Sequence, residues 1–378
     1  MNETMKKKVT VVLGMHRSGT SVVARGLQVL GVDLGDNLLA AFRGVNDKGF
    51  WEDADIIAFN EELLWTLGRE WHTVTPILTN EFAEPQVDNL KQRAMELLKS
   101  KMFSISDFGL KDPRVSKLLP FWNDVFRRLC VSVSYVIAYR HPMSVVLSLE
   151  KRDGFAHEKS YLLWLQHMLA ILMHTHGYNR VVVNYDRLMM EPERQLQRVA
   201  NIIGQKFDPE GNEFTVYKNN FLDDTLRHSH VRADDLRLSE SVPHGVIELH
   251  NILTELADGN ASSDDIDLIA SIERINRRFA ENYVVLRYLG VCEEKIWELS
   301  RIVEKGSHLV AMAEKLLDQS DGHLAMVAAD LLRQKDEHLA TAAELLRQKD
   351  EHLATAAELL RQKDEHLATA AELIKQRN

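Results

Sequence analysis

Apolar and polar positions along the chain fall into two regimes. In the first half, four short β-branched runs stand out: VTVVLG (9–14), SISDFGL (104–110), VSVSYVIAY (131–139) and RVVVNY (180–185). Each is followed by apolar residues at helical spacing, which predicts helices over 19–30, 54–68, 87–101, 114–128, 158–176 and 192–204. Pro192 sits near the start of the last of these, where a missing N–H costs nothing. Strands alternating with helices predict an α/β fold of three layers, with a central parallel sheet covered on both faces.

Beyond about residue 240 the strand-like runs mostly disappear, and helical patterns follow at 244–257, 264–282 and 292–318. The C-terminus is an internal repeat. LLRQKDEHLATAAE occurs three times unchanged, at 331–344, 345–358 and 359–372, after a degenerate copy at 316–330. Fourteen residues are two heptads, so Leu332, Leu339, Leu346, Leu353, Leu360 and Leu367 recur along one stripe. Four residues after each leucine the partner seam alternates between Asp336, Asp350 and Asp364 and Ala343, Ala357 and Ala371, which makes it thin and partly polar. Three copies as straight helix would extend roughly 63 Å. Two readings stay open: a solvated duplicated helix with some self-association, or a coiled coil for homo-oligomerisation or partner docking. The expected organisation is an α/β domain over 1–240, a helical region over 241–315 and the repeat helix over 316–378.

Bulk properties narrow the classes. A formal charge of −10 speaks against a general nucleic-acid binder, although a local basic pocket remains compatible with it. Cys130 and Cys292 give neither a disulfide framework nor a metal cluster. Cys130 heads an apolar run and reads as a small buried residue. The N-terminal lysines and short apolar run look superficially like a signal peptide, but the run is broken at Thr10 and ends at His16-Arg17. No stretch reaches the roughly 18 apolar residues of a membrane span, so a cytoplasmic location is expected.

The candidate chemistry begins in GMHRSGTS (14–21). A strand, a glycine-containing turn and a helix N-terminus point backbone N–H groups at one spot, which predicts anion binding. Gly14, Gly19 and Ser21 keep the spacing of the nucleotide triphosphate loop, yet Thr20 stands where its lysine belongs. Arg17 is the only cation within the loop and can grip phosphate oxygens bidentately. Ser18, Gly19, Thr20 and Ser21 can supply N–H and O–H donors, and His16 either meets a substrate or packs the loop.

Two further segments follow strands. In YRHPMSVVLS (139–148), Arg140 stands at a strand end with Ser148 eight residues on, a pair that can hold a second phosphate if a helix begins near Pro142. In LKDPR (110–114), Pro113 pushes Asp112 out of helical geometry and fixes Lys111 at the strand exit. Ligands of open α/β sheets gather at these carboxyl ends, so Lys111, Arg17 and Arg140 should converge.

In combination these motifs resemble the sulfotransferases that use 3′-phosphoadenosine 5′-phosphosulfate (PAPS), in particular the bacterial and Golgi carbohydrate group, over roughly residues 8–235. GMHRSGTS is similar to the family's 5′-phosphosulfate loop and YRHPMSVVLS to its 3′-phosphate motif. LKDPR is similar to the segment whose lysine lies at the sulfuryl group, and NYDRLMMEPERQLQRVANIIG (184–204) to the strand and helix that close the core.

The resemblance implies a P-loop-like fold and PAPS as co-substrate, held by Arg17, Ser18, Gly19, Thr20, Ser21, Arg140 and Ser148. It implies a carbohydrate or glycolipid hydroxyl as acceptor, with Glu52 as base, Lys111 and Arg17 stabilising the leaving phosphate, and no metal. Glu52 matches through NDKGFWEDADI (46–56), with Asp53 as the alternative base, and Asp53 or Asp55 can instead be ordinary helix caps. Phe50 and Trp51 either wall a sugar site or pack under the loop. Arg227, His228, His230 and Arg232 can form a lid or a solvated loop, and His167, His174 and His176 sit on a helix that reads as core.

The enzyme rival is a P-loop kinase of a small molecule, which would need a lysine before Ser21 and an Asp at a second strand end to hold Mg²⁺. The rival of another class is an inactive scaffold that works through its tail.

Overall fold

The computed structural model describes residues 7–41, 48–222, 242–262 and 264–295, together with Leu236 and a few isolated positions between 330 and 347. The chain divides into two compact units, Met1–Glu281 and Asn282–Asn378.

In the first unit, β1 (Lys8–Leu13), β2 (Asp107–Lys111), β3 (Ser132–Tyr139) and β4 (Asn179–Asn184) form one parallel sheet in the order β2-β1-β3-β4. Between them run α1 (Thr20–Val29), α2 (Ala54–Thr66), α3 (Pro85–Lys101), α4 (Val115–Arg128), α5 (Pro142–Asp153) and α6 (His157–His174). After β4 come α7 (Tyr185–Met190) and α8 (Pro192–Ile203). A sheet covered on both faces needs apolar side chains on both, which is why the strands read as nearly continuous apolar runs.

Val12, Val136, Ala138, Val181 and Val183 share one face with Val23, Ala24 and Leu27 of α1 and Leu196, Val199 and Ala200 of α8. On the other face, Tyr135 donates to Asn123 of α4 and Tyr139 lies 6.5 Å, ring to ring, from Trp164 of α6. Helices His244–Asp258 and Ile266–Ala280 pack on α6, the first also on β4, so this unit continues past the composition change near residue 240.

Three local details depart from the sequence pattern. Strand β2 starts at Asp107 rather than Ser104, because its first ladder partner is Lys8, while Lys7 Nζ donates to the carbonyls of Met102 (2.7 Å) and Ile105 (2.8 Å) just before it. Strand β4 ends at Asn184, whose side chain accepts from the N–H groups of Asp186 and Arg187 and so starts α7. Cys130 is exposed rather than buried. It is the left-handed residue that ends α4 (φ 54°), with its N–H on Arg127 O and the Val131 N–H on Phe126 O. That termination motif dictates a backbone conformation and puts the side chain outside the core.

Helix also covers 283–295 of the second unit, and the described positions between 330 and 347 are helical. There Arg333 pairs with Asp330 and Glu337, and Arg347 with Glu344, at helical spacing. The leucine stripe of the repeat and the whole 226–235 segment, with Arg227, His228, His230 and Arg232, lie outside the described residues. Among the described residues no helix is long and apolar enough to cross a membrane.

Leu27 is fully buried between the sheet and α8. Leu27→Ala should lower stability by about 2–5 kcal/mol, read as a lower urea midpoint with an unchanged denaturant slope.

Candidate active site

All four strands run the same way, so their C-terminal ends lie along one edge, and each delivers a side chain to it. After β1 comes the 14–19 loop with Arg17, β2 ends on Lys111, β3 is followed by Arg140, and β4 by Tyr185. Because β1 connects toward β2 and β3 toward β4, the crevice lies at the point where the strand order reverses.

The loop has no room for side chains at two positions. A Cβ on Gly14 would approach Ala138 O to 2.6 Å, and one on Gly19 (φ 85°) would meet the Tyr185 ring at 2.3 Å. Gly19 stands immediately before α1 as its N-cap, its carbonyl accepting from the Val22 and Val23 N–H groups.

Arg17, itself left-handed (φ 68°), donates from Nε to Ser148 Oγ at 2.8 Å. Arg140 Nη1 donates to Arg17 O at 3.3 Å, and its guanidinium lies 4.6 Å from the Tyr185 ring centroid. The two arginine motifs, far apart in sequence, thus interlock. Helix α5 begins at Pro142 and carries Ser148 back to the strand edge.

Lys111 is buried and occupied on three sides. It pairs with Glu52 and donates to Phe50 O (2.8 Å) and Ser21 Oγ (3.3 Å). Glu52 is held by its own backbone: Leu39 N–H donates to Glu52 O at 2.8 Å beside the Leu38–Asp53 bridge. Burial pushes the Glu52 carboxyl above its ordinary value, Lys111 pulls it down and Asp112 pushes it up, with a net rise. Asp53 caps α2, accepting from the N–H groups of Asp55 and Ile56, and pairs with Lys101 at 2.7 Å.

These groups line one cavity of about 850 Å³. Its wall carries seven Lys and Arg side chains against three carboxylates, an excess of positive charge in a chain whose net charge is −10. Arg17, Gly19, Thr20, Ser21, Glu52, Lys111, Arg140 and Ser148 are all on the wall, while Ser18 is not. The Ser18 N–H closes a turn on Met15 O (3.1 Å), and its side chain is fully buried.

Phe50 is on the wall; Trp51 is not, its ring lying 5.7 Å from Phe221 and 5.8 Å from the Arg25 guanidinium of α1. His16 lines the cavity with its ring 4.2 Å from Trp71, and burial together with the charge of Arg114 holds it well below the usual histidine value, hence neutral. His167 belongs to the core, with Nδ1 2.7 Å from Leu163 O.

Three wall residues carried no sequence signal of their own. Tyr185 follows a strand end, the rule that singled out Lys111, and could have been found that way. Trp71 comes from the connection between α2 and α3, whose path is set by tertiary packing, and Arg152 from the last turn of α5. Among the described residues no group of three or more His, Cys, Asp or Glu side chains is arranged to hold a metal ion.

No protein-family model matches the chain, and comparison with curated protein sequences gives no match. Among solved structures the chain is similar to the sulfotransferase domain of the Synechococcus PCC 7002 olefin synthase, at 16% identity and a TM-score of 0.37, over 69% of this chain and 97% of that one. It is also similar to the sulfotransferase domain from the curacin biosynthetic pathway, at 15% identity and a TM-score of 0.35, over 66% and 96%. At that distance the chemistry of the site has to be read from its own residues.

A carboxyl with a raised folded-state value binds its proton more tightly in the folded than in the unfolded chain. Its contribution to stability is therefore complete below the ordinary value of 4.5 and is lost as pH rises through the higher folded value. The melting temperature of the wild type should fall relative to Glu52→Gln as pH is raised from 4 to 8, measured by calorimetry.

Proposed function

We propose that the protein is a sulfotransferase that moves the sulfuryl group of PAPS to a hydroxyl, with a carbohydrate or glycolipid acceptor. The observation that carries this reading is the convergence of Arg17, Lys111, Arg140 and Ser148 from three strand ends, with Glu52 from the segment before α2, on one cationic cavity.

The donor carries a phosphosulfate and a separate 3′-phosphate, and the cavity offers two cationic centres for them. The Gly14–Gly19 turn, with Arg17 and the start of α1, suits the phosphosulfate. Arg140 and Ser148 suit the 3′-phosphate. In the transfer, an acceptor oxygen forms a new O–S bond while the S–O bond to the phosphate breaks. The bonding electrons leave on the phosphate oxygen, and the acceptor proton passes to Glu52. Glu52 is suited to take it because burial makes it a stronger base than an exposed carboxylate. Lys111 and Arg17 stabilise the charge that grows on the departing phosphate.

Phosphoryl transfer of the P-loop kinase type would call for a lysine before Ser21 and a carboxylate at the second strand end. Thr20 and Arg140 stand there instead.

The test is transfer of ³⁵S from labelled PAPS to a panel of saccharides and glycolipids. A labelled sulfate ester is expected, with Glu52→Gln slowing turnover by about 10²–10⁴-fold while nucleotide binding is retained. Full turnover in Glu52→Gln would remove the base from this scheme, and phosphoryl transfer from ATP without sulfuryl transfer would overturn the reading.

A further inference from the structure

The polar groups behind Glu52 form a chain that runs into the core. Trp122, fully buried, donates from Nε1 to Asn60 Oδ1 at 2.9 Å, and Asn60 Nδ2 donates to Asp112 Oδ2 at 2.9 Å. Asp112 Oδ1 accepts from the Arg114 N–H and from Arg114 Nη1, both at 3.0 Å. Arg114 Nη2 donates to Glu61 at 2.8 Å. Arg114 Nη1 also stands 4.0 Å from Glu52 Oε2, on the carboxylate oxygen that Lys111 does not take. Burial opposes the charge of Arg114, but Asp112, Glu61 and Glu52 outweigh it and leave it more firmly protonated than usual.

The donor is an anion that must compete with Glu52 for Lys111, since all three ammonium directions of Lys111 are in use. Once Lys111 turns to the phosphate, Glu52 is a buried carboxylate next to Asp112, and such a group takes up a proton unless another cation stays beside it. Arg114 cannot follow the donor, because Asp112 and Glu61 grip it from two sides.

We propose that Arg114 is a positioning residue for the transfer: it is the second cation of Glu52 and keeps the carboxylate able to accept a proton while Lys111 serves the departing phosphate. This rests on the sulfotransferase reading above. The charged groups around Glu52 are Lys111 of β2, Asp112 and Arg114 of the turn after it, Glu61 of α2, and Lys101 of α3 through Asp53.

The experiment follows the Glu52 carboxyl carbon by ¹³C NMR, assigned by its absence in Glu52→Gln, with and without adenosine 3′,5′-bisphosphate. In Arg114→Met the bisphosphate-bound midpoint should rise by about one pH unit, a tenfold change, and the acid limb of kcat, which reports the bound state, should move with it. Arg114→Lys should recover part of the shift and, retaining a cation, carries the measurement if the methionine variant does not fold. A bound-state midpoint that stays at the wild-type value in a folded Arg114→Met, or a full one-unit rise in Arg114→Lys, overturns the proposal. If the bisphosphate does not bind the wild type, the sulfotransferase reading fails. The titration of free Lys111→Met with and without Arg114→Met then still decides whether Arg114 holds Glu52, by a further rise or none.

Discussion

A buried ammonium is tolerable only with partners, and the way Lys111 finds them organises the whole site. Its three acceptors come from two places: the start of α1 through Ser21, and the 48–53 segment before α2 through Phe50 O and Glu52. One side chain at the end of β2 therefore ties the 14–21 loop, the segment that carries Glu52 and the strand edge together. Glu52 depends on Lys111 in return, because burial raises its carboxyl and Lys111 is the strongest influence that lowers it. Taking away one partner of such a buried pair leaves a charge uncompensated and costs about 3–5 kcal/mol. The catalytic reading thus falls on residues that also hold this edge of the fold in place.

The parallel sheet explains why so much positive charge meets at one point of an acidic chain. Strands that all run one way put all their exits on one edge, and the reversal of strand order at β1 and β3 opens a crevice there. Arg17 and Arg140 sit close together because Ser148 and a loop carbonyl bind them, and the Tyr185 face lies against Arg140. Burial first, and then the charges of Arg152 and Arg140, pull Arg17 below the usual arginine value.

Much of this was legible in the sequence because strand exits are. The β-branched runs located all four strands, and the residues directly after three of them were Lys111, Arg140 and the Arg17 loop. Ser148 was legible once Pro142 was taken as a helix start. What stayed hidden depends on contacts between distant segments: that Ser148 meets Arg17, that Trp51 packs on Phe221, and that Arg114 reaches Glu52. Cys130 misled because its neighbours are apolar, whereas a left-handed helix end is a demand of the backbone that a side-chain pattern does not display. Ser18 looked like the other loop hydroxyls until its N–H closed the turn on Met15.

The most direct measurement is calorimetric titration of the full chain with adenosine 3′,5′-bisphosphate and, separately, with ATP and Mg²⁺, on wild type and Arg140→Ala. The account predicts tight binding of the bisphosphate in preference to ATP, weakened about 10–100-fold by loss of the charge-assisted bonds of Arg140. Preference for ATP with Mg²⁺, or bisphosphate binding indifferent to Arg140→Ala, would contradict it.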